Sequence, residues 1–240
     1  MRLQKNVPDA QARGAAAEQI KSVARRLFAE RGVDGVTVRE IAAAAGQKNH
    51  GAVGYYFGSK EALVREIIVD GAAAIDRRRN DQLDRLETDG GPRSVREVVD
   101  VLIHGAIGDQ PNEDYYICFI TMLAMSHRDI MMDALENRWN SGYLRCLEHL
   151  RRLMPAALTS ALMNQRFVFL GAYLSSVLAA RQRALGDISR SHPTWSAKQT
   201  LDHFALTATS MLEAPAPSDQ GSATAHAGAN TDFSALGMVV

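Results

Sequence analysis

Cysteine, aromatic residues and long apolar runs are all scarce in this sequence. Its 240 residues include two cysteines, Cys118 and Cys146, which form no CxxC pair, so a disulfide framework and a zinc module are both excluded. The longest uncharged apolar stretch, residues 167–180, is shorter than the roughly 20 residues that a membrane-spanning helix needs. The residues after Met1 include no apolar run typical of a secretory signal. We therefore expect a cytoplasmic protein that does not enter a membrane.

Catalytic and metal-binding motifs are also absent from the sequence. None of the patterns HExxH, ExxH and GxSxG occurs, which removes support for a metal-binding helical bundle and for a hydrolase. The triplet His127-Arg128-Asp129 imitates a kinase catalytic loop, but Ala134 stands where that loop needs asparagine, and no glycine-rich phosphate loop is present. We predict no catalytic residue, no metal site and no cofactor.

Charge is balanced over the whole chain but not along it. The 27 Lys and Arg residues equal the 27 Asp and Glu residues. Residues 1–65, however, contain eleven basic and six acidic residues, a net charge of +5. The remaining residues therefore have a net charge of −5. A basic amino-terminal segment joined to an acidic body indicates that the two parts have different tasks.

The apolar residues follow helical periodicity, and no stretch alternates as a strand does. The pattern and its breakers predict an all-α bundle fold with nine helices, at about 16–31, 38–45, 49–57, 60–86, 94–107, 114–126, 129–153, 158–185 and 194–212. After residue 213 the chain is rich in Ala, Ser, Gly and Pro and has two charges. The predicted organisation is a flexible arm (1–14), a helix-turn-helix DNA-binding domain (15–58), an effector-binding and dimerisation domain (59–213) and a disordered tail (214–240).

The second and third predicted helices have the features of a helix-turn-helix motif. Thr37 and Glu40 have the spacing of a capping box, which predicts a helix start at Val38. Gly46 permits the sharp turn that follows. Val53 and Phe57 lie four residues apart and are expected to anchor the third helix to a small core.

Three blocks of sequence resemble the TetR family of transcriptional regulators: residues 29–32 (AERG), 36–46 (VTVREIAAAAG) and 56–63 (YFGSKEAL). The match covers about residues 13–65, and the blocks agree in order and spacing. The resemblance implies a nine-helix fold, a homodimer, and a carboxy-terminal domain whose small effector changes the affinity for DNA. One departure is visible, because seven residues separate Gly46 from Gly54 and Gly54 replaces the usual first aromatic residue.

The resemblance and the polar face of the motif together predict the DNA contacts, namely Thr37, Arg39, Lys48, Asn49, His50, Tyr55, Tyr56 and Lys60. Thr37 and Lys60 match family positions that contact phosphate; the alternative for Lys60 is a solvated surface lysine. Asn49 could read adenine or cap the third helix. Tyr55 and Tyr56 are adjacent, so one is expected to pack while the other reaches the DNA backbone.

The candidates for an effector pocket are His104, Tyr115, Phe119, Met122, Trp139 and Tyr143. Pockets are mostly apolar with a few polar anchors, so a small, largely apolar effector is expected. Aromatic and methionine residues at helical spacing more often form an ordinary core than a pocket.

The predicted dimer interface lies on the last two helices and contains Phe167, Leu170, Leu174, Leu178, Leu201 and Phe204. The family pairs these two helices in its dimers. A core within one subunit is the alternative for the same residues. We expect a homodimer that binds a double-stranded palindromic operator as a repressor and is released by its effector. The lengthened turn suggests a rival, a helical ligand-binding or enzymatic protein with a vestigial helix-turn-helix.

Overall fold

The computed structural model describes residues 10–108, 115–136, 138 and 140–216. These residues form helices and loops without a strand, which confirms the predicted all-α fold. The helices are α1 (Ala10–Arg31), α2 (Val38–Ala44), α3 (Ala52–Phe57), α4 (Lys60–Thr88), α5 (Val95–Ile107), α6 (Tyr116–Ser126), α7 (Arg128–Leu135), α8 (Ser141–Leu153), α9 (Ser160–Gly186), α10 (Pro193–Ser196) and α11 (Gln199–Glu213). No helix in the described ranges is both long and apolar enough to cross a membrane.

Helices α1–α3, called here the amino-terminal unit, share an apolar core. Phe28, Ile41 and Val53 come from the three helices in turn, and all three are buried. Gly46 turns the chain after α2 with a φ of 66°, a conformation that costs glycine no steric energy. A compact three-helix unit therefore forms around the predicted turn.

Helix α4 connects the amino-terminal unit to the rest of the chain. It has 29 residues and is therefore about 44 Å long. Ser59 caps its start by accepting a hydrogen bond from the N–H of Ala62 at 3.0 Å, as the sequence predicted. Helix α4 packs against α3, α5, α7 and α8. A movement of α4 in the bundle formed by α4–α11 would consequently displace the amino-terminal unit.

The remaining helices complete the bundle. Helix α6 packs against α1 and α9, and α11 packs against α5 and α9. Arg166 on α9 is buried and donates hydrogen bonds to the carbonyl oxygens of Leu212 (2.6 Å) and Pro215 (3.1 Å). These bonds fix the end of α11 against α9.

The structure divides the predicted helix 129–153 into α7 and α8. Glu136 ends α7 with a φ of 47°. The Asp76 carboxylate on α4 accepts hydrogen bonds from the N–H of Gly142 (2.7 Å) and the hydroxyl of Ser141 (2.8 Å), which fixes the start of α8. Because this start depends on a residue of another helix, the local pattern did not reveal it.

The last predicted helix is also divided, since Ala197 is extended (φ −62°, ψ 136°) between α10 and α11. The count of nine helices is therefore corrected to eleven within the described ranges. Helix α1 begins at Ala10, inside the predicted flexible arm. Residues 1–9 of that arm, residues 217–240 of the predicted tail and the pocket candidate Trp139 lie outside the described residues.

Candidate nucleic-acid interface

The loop 45–51 between α2 and α3 presents three predicted DNA contacts to solvent. Lys48, Asn49 and His50 are all exposed. The side-chain oxygen of Asn49 accepts a hydrogen bond from the N–H of Gly51 at 2.8 Å, so it stabilises the loop itself. Helix α3 starts only at Ala52, with Gly51 as its N-cap. The capping role considered for Asn49 is thereby corrected, while its contact with a base stays a prediction.

Helix α3 holds its two tyrosines in different environments. Tyr56 is half-buried and packs on the core, whereas Tyr55 is 62% exposed. Their rings meet edge to face at 5.0 Å. The Arg13 guanidinium of α1 lies 6.0 Å from the Tyr55 ring centroid, a cation–π contact that adds a further cation beside α3. Arg13 was not among the predicted contacts, and it lies far from Tyr55 in the sequence.

Gly54, the departure from the family pattern, lies exposed in the middle of α3. A Cβ atom at this position would meet nothing within 4 Å. The structure therefore leaves room for a side chain at Gly54, and glycine there is not required by packing inside this chain.

A hydrogen-bonded cluster holds the start of α2. The N–H of Glu40 donates to the Thr37 hydroxyl (3.3 Å), and the N–H of Thr37 donates to the Glu40 carboxylate (2.8 Å), which confirms the predicted capping box. Arg31 also donates to this carboxylate at 2.8 Å. The backbone N–H and hydroxyl of Thr37, together with Arg31, lower the pKa of Glu40 to about 2. Thr37 and its neighbour Arg39 are exposed beside this rigid start.

Lys60 has a structural role that the sequence did not indicate. Its ammonium group donates hydrogen bonds to the carbonyl oxygens of Val33 (2.8 Å) and Val36 (2.9 Å) in the loop between α1 and α2. An ammonium has three donors, so these two bonds leave one for another acceptor. Contact between Lys60 and a phosphate stays a prediction.

Several contacts connect the amino-terminal unit to the bundle. The rings of Phe28 and Phe119 are 5.9 Å apart, and His127 Nε2 lies 3.0 Å from a carboxylate oxygen of Asp34. Lys21 of α1 forms an ion pair with Asp70 of α4. The orientation of the amino-terminal unit is consequently coupled to α4, to α6 and to His127, which follows α6.

The predicted pocket residues that the structure describes lie in several places. Tyr115 lines a cavity of about 500 Å³ between α1 and the end of α9, together with Arg26, Gly186 and others. His104 is exposed and lines a separate cavity of about 320 Å³ beside α4. Phe119 and Tyr143 are buried in the core, and Met122 is partly exposed on α6. No cluster of metal-binding side chains occurs in the described part of the chain.

The predicted dimer residues lie inside one subunit. Phe167, Leu170, Leu174, Leu178 and Phe204 are buried by the chain itself, and Leu201 is half-buried. They pack α9 against α11 and the bundle within one chain, and their contact with a partner stays a prediction. Both a core face and an interface face are apolar, and the period of the sequence does not distinguish them.

The same two helices carry other apolar side chains on their exposed side. Val168 (40% exposed) and Phe169 (58%) belong to α9, and Leu206 (54%) belongs to α11. We call these three residues the outer face. Tyr173 connects the two helices, since its ring contacts Phe204 and its hydroxyl lies 2.8 Å from that of Thr207.

Comparison with known proteins places these features in context. Residues 20–67 match the model of the bacterial regulatory proteins of the tetR family. The fold is similar to that of a TetR family transcriptional regulator, PfmR, from Thermus thermophilus, with a TM-score of 0.52 and 14% identity over 80% of this chain and 96% of the other. A putative transcriptional regulator from Rhodococcus sp. RHA1 has a TM-score of 0.45 and 21% identity over 82% and 95% of the two chains. No curated protein matches the sequence.

Proposed function

We propose that the chain is a tetR-family DNA-binding regulator, a repressor that binds a palindromic operator as a homodimer. A small-molecule effector releases it. DNA binding is assigned to residues 15–58, and effector binding and dimerisation are assigned to residues 59–213. A dimer bound over a promoter blocks access to that promoter, which is the simplest route from binding to repression.

The observation that supports this function best is the exposed surface of loop 45–51 and α3 on a rigid three-helix core. The surface carries the cation Lys48, the amide of Asn49 and the ring of His50, all exposed. Cations meet phosphates, and amides hydrogen-bond to base edges in the major groove. The other proposed contacts are Thr37, Arg39, Tyr55, Tyr56 and Lys60, with Arg13 added from its position over Tyr55.

Dimerisation follows from the small size of this surface. Helix α3 has six residues and can read only a few base pairs. Two copies about 34 Å apart read successive turns of the major groove, and a palindrome matches their two-fold symmetry. The outer face of α9 and α11 offers apolar side chains for the contact between subunits. A symmetric four-helix interface at these helices would bury them.

The proposed release by an effector uses the contacts between the amino-terminal unit and the bundle. An effector that binds best when α4 and α6 are displaced shifts the population towards that arrangement. The Phe28–Phe119 packing and the Lys21–Asp70 ion pair then carry the amino-terminal unit with those helices. The spacing of the two α3 helices changes, and the affinity for the operator falls.

The test is duplex binding followed by fluorescence anisotropy, using DNA from the region upstream of the protein's own gene. Lys48→Ala should weaken binding and reduce the slope of log affinity against log salt by about 1, because one phosphate contact is lost. Lys198→Ala is the matched control, since Lys198 is also exposed but lies at the start of α11. Equal effects of the two variants, or equal affinity for unrelated duplexes, would favour the rival with a vestigial helix-turn-helix.

A further inference from the structure

A buried arginine in the bundle has no role in the proposed contacts with DNA or with a second subunit. Arg79 on α4 is 1% exposed. Within the described ranges, its Nε and Nη2 groups have no hydrogen-bond acceptor. Burial lowers the pKa of Arg79, yet a guanidinium keeps its proton in proteins. The bundle therefore holds a positive charge whose hydrogen bonds are incomplete.

The groups around Arg79 do not supply the missing acceptors. The guanidinium lies 5.7 Å from the centroid of the Tyr143 ring, and this cation–π contact offsets part of the cost of burial. Asp76 is one turn earlier on α4, but its two carboxylate oxygens accept hydrogen bonds from Gly142 and Ser141. An incompletely paired buried charge is strongly destabilising, so stability alone does not explain this residue.

The neighbouring helices are shaped to fit the arginine side chain. A Cβ atom at Gly105 of α5 would lie 2.6 Å from Arg79 Cγ, and one at Gly142 of α8 would lie 2.7 Å from Arg79 Cβ. Glycine at both positions therefore lets α5 and α8 approach the stem of Arg79. A leucine or methionine at position 79 would fill an apolar site without burying a charge. The arrangement indicates that the guanidinium itself has a function.

The two unpaired groups have the geometry of an anion-binding site. Nε–H and Nη2–H lie on the same edge of the planar guanidinium and point in parallel, which matches the two oxygens of a carboxylate. We infer that Arg79 anchors an anionic effector, a small organic acid whose carboxylate accepts hydrogen bonds from Nε and Nη2. The apolar part of the acid packs beside Tyr143 in the bundle. This inference rests on the proposed function and names the chemical class of the effector.

Burial of the site couples ligand binding to conformation. Since Arg79 is 1% exposed, an acid reaches its guanidinium only when α5 or α8 moves away from α4. The ligand therefore binds an arrangement that differs from the one described here. Helix α4 carries the amino-terminal unit at its start, so the same rearrangement changes the position of α3.

The test compares organic acids with their neutral amides on the full-length protein. Straight-chain acids from butanoate to dodecanoate, benzoate and phenylacetate are titrated by calorimetry, and melting temperatures are measured in parallel. At least one acid should bind and raise the melting temperature, while its amide should not. Arg79→Met should weaken binding of that acid roughly tenfold to a hundredfold, since charge-assisted hydrogen bonds are lost. Arg77→Met, a change at the exposed neighbouring arginine, should leave the affinity unchanged.

Several outcomes would overturn the inference. The parent protein could bind the amide as tightly as the acid, or it could respond to no acid of the panel. Arg79→Met could also bind the acid with the affinity of the parent protein. If Arg79→Met does not fold, the comparison of acid with amide on the parent protein decides alone. Operator binding is measured separately: acid binding without DNA binding contradicts the proposed function only, and DNA binding without acid binding contradicts the effector class only.

Discussion

Replacement of Phe169 by alanine should weaken the proposed dimer. The side chain is 58% exposed in the single subunit, and complete burial of a phenylalanine contributes about 1.5–3 kcal/mol. Burial of the exposed part in an interface is then worth about 0.9–1.7 kcal/mol for each copy. A two-fold interface contains two copies, so the proposed dimer loses about 1.7–3.5 kcal/mol, which corresponds to roughly a 20- to 350-fold increase in Kd.

Sedimentation velocity over a dilution series measures this change directly. Leu144→Ala is the matched control, because Leu144 is 51% exposed but lies on α8, away from the outer face. The control should dimerise like the parent protein. A dimer that survives Phe169→Ala with unchanged affinity would show that α9 does not form the interface through its outer face.

Three further predictions concern folding and the amino-terminal unit. Gly71→Ala should lower the free energy of unfolding by roughly 1–3 kcal/mol in a urea titration. The new Cβ would overlap the ring of Tyr116. This ring is held in place because its hydroxyl donates a hydrogen bond to the Ile68 carbonyl at 3.0 Å. Gly54→Ala should raise stability by about 0.5–1 kcal/mol, since the position is helical and open; a loss of stability would contradict the described α3. Glu40 has a lowered pKa of about 2, so it stabilises the fold fully above pH 4.5 and less as the pH falls through 2. The stability difference between the parent and Glu40→Gln should shrink over that range, and an NMR titration of the Glu40 carboxyl that gives an ordinary pKa would contradict the bonded cluster.

The amino-terminal unit could be predicted from the sequence because local interactions form it. Its main features involve one residue alone or residues at most three apart: the capping box of Thr37 and Glu40, the turn at Gly46 and the cap at Ser59. Residues this close in the chain leave a recognisable spacing. The ends of α2 to α5 accordingly lie within three residues of the predicted ends.

Features that depend on distant residues could not be predicted in this way. The break before α8 depends on the Asp76 carboxylate, and Arg13 lies over the Tyr55 ring although the two residues are far apart in the sequence. Lys60 has a charge and a position typical of a phosphate contact, yet it also binds two carbonyl groups of a loop more than 20 residues earlier.

The dimer and pocket residues stay predictions, and the sequence pattern could not place them for a related reason. Periodicity identifies which residues of α9 are apolar, but not whether another helix of the same chain already covers them. Phe167 is buried and Phe169 is exposed, although both are aromatic and lie two residues apart. Arg79 was overlooked because an arginine on a long helix is usually expected at the surface.

Selection of bound duplexes from a random DNA library tests the central claim most directly. The purified protein should enrich one sequence family with two inverted half-sites about one helical turn apart, bound by two subunits, and Lys48→Ala should lose this enrichment while Lys198→Ala retains it. Recovery of unrelated sequences after repeated rounds, or of a single half-site bound by one subunit, would contradict the account.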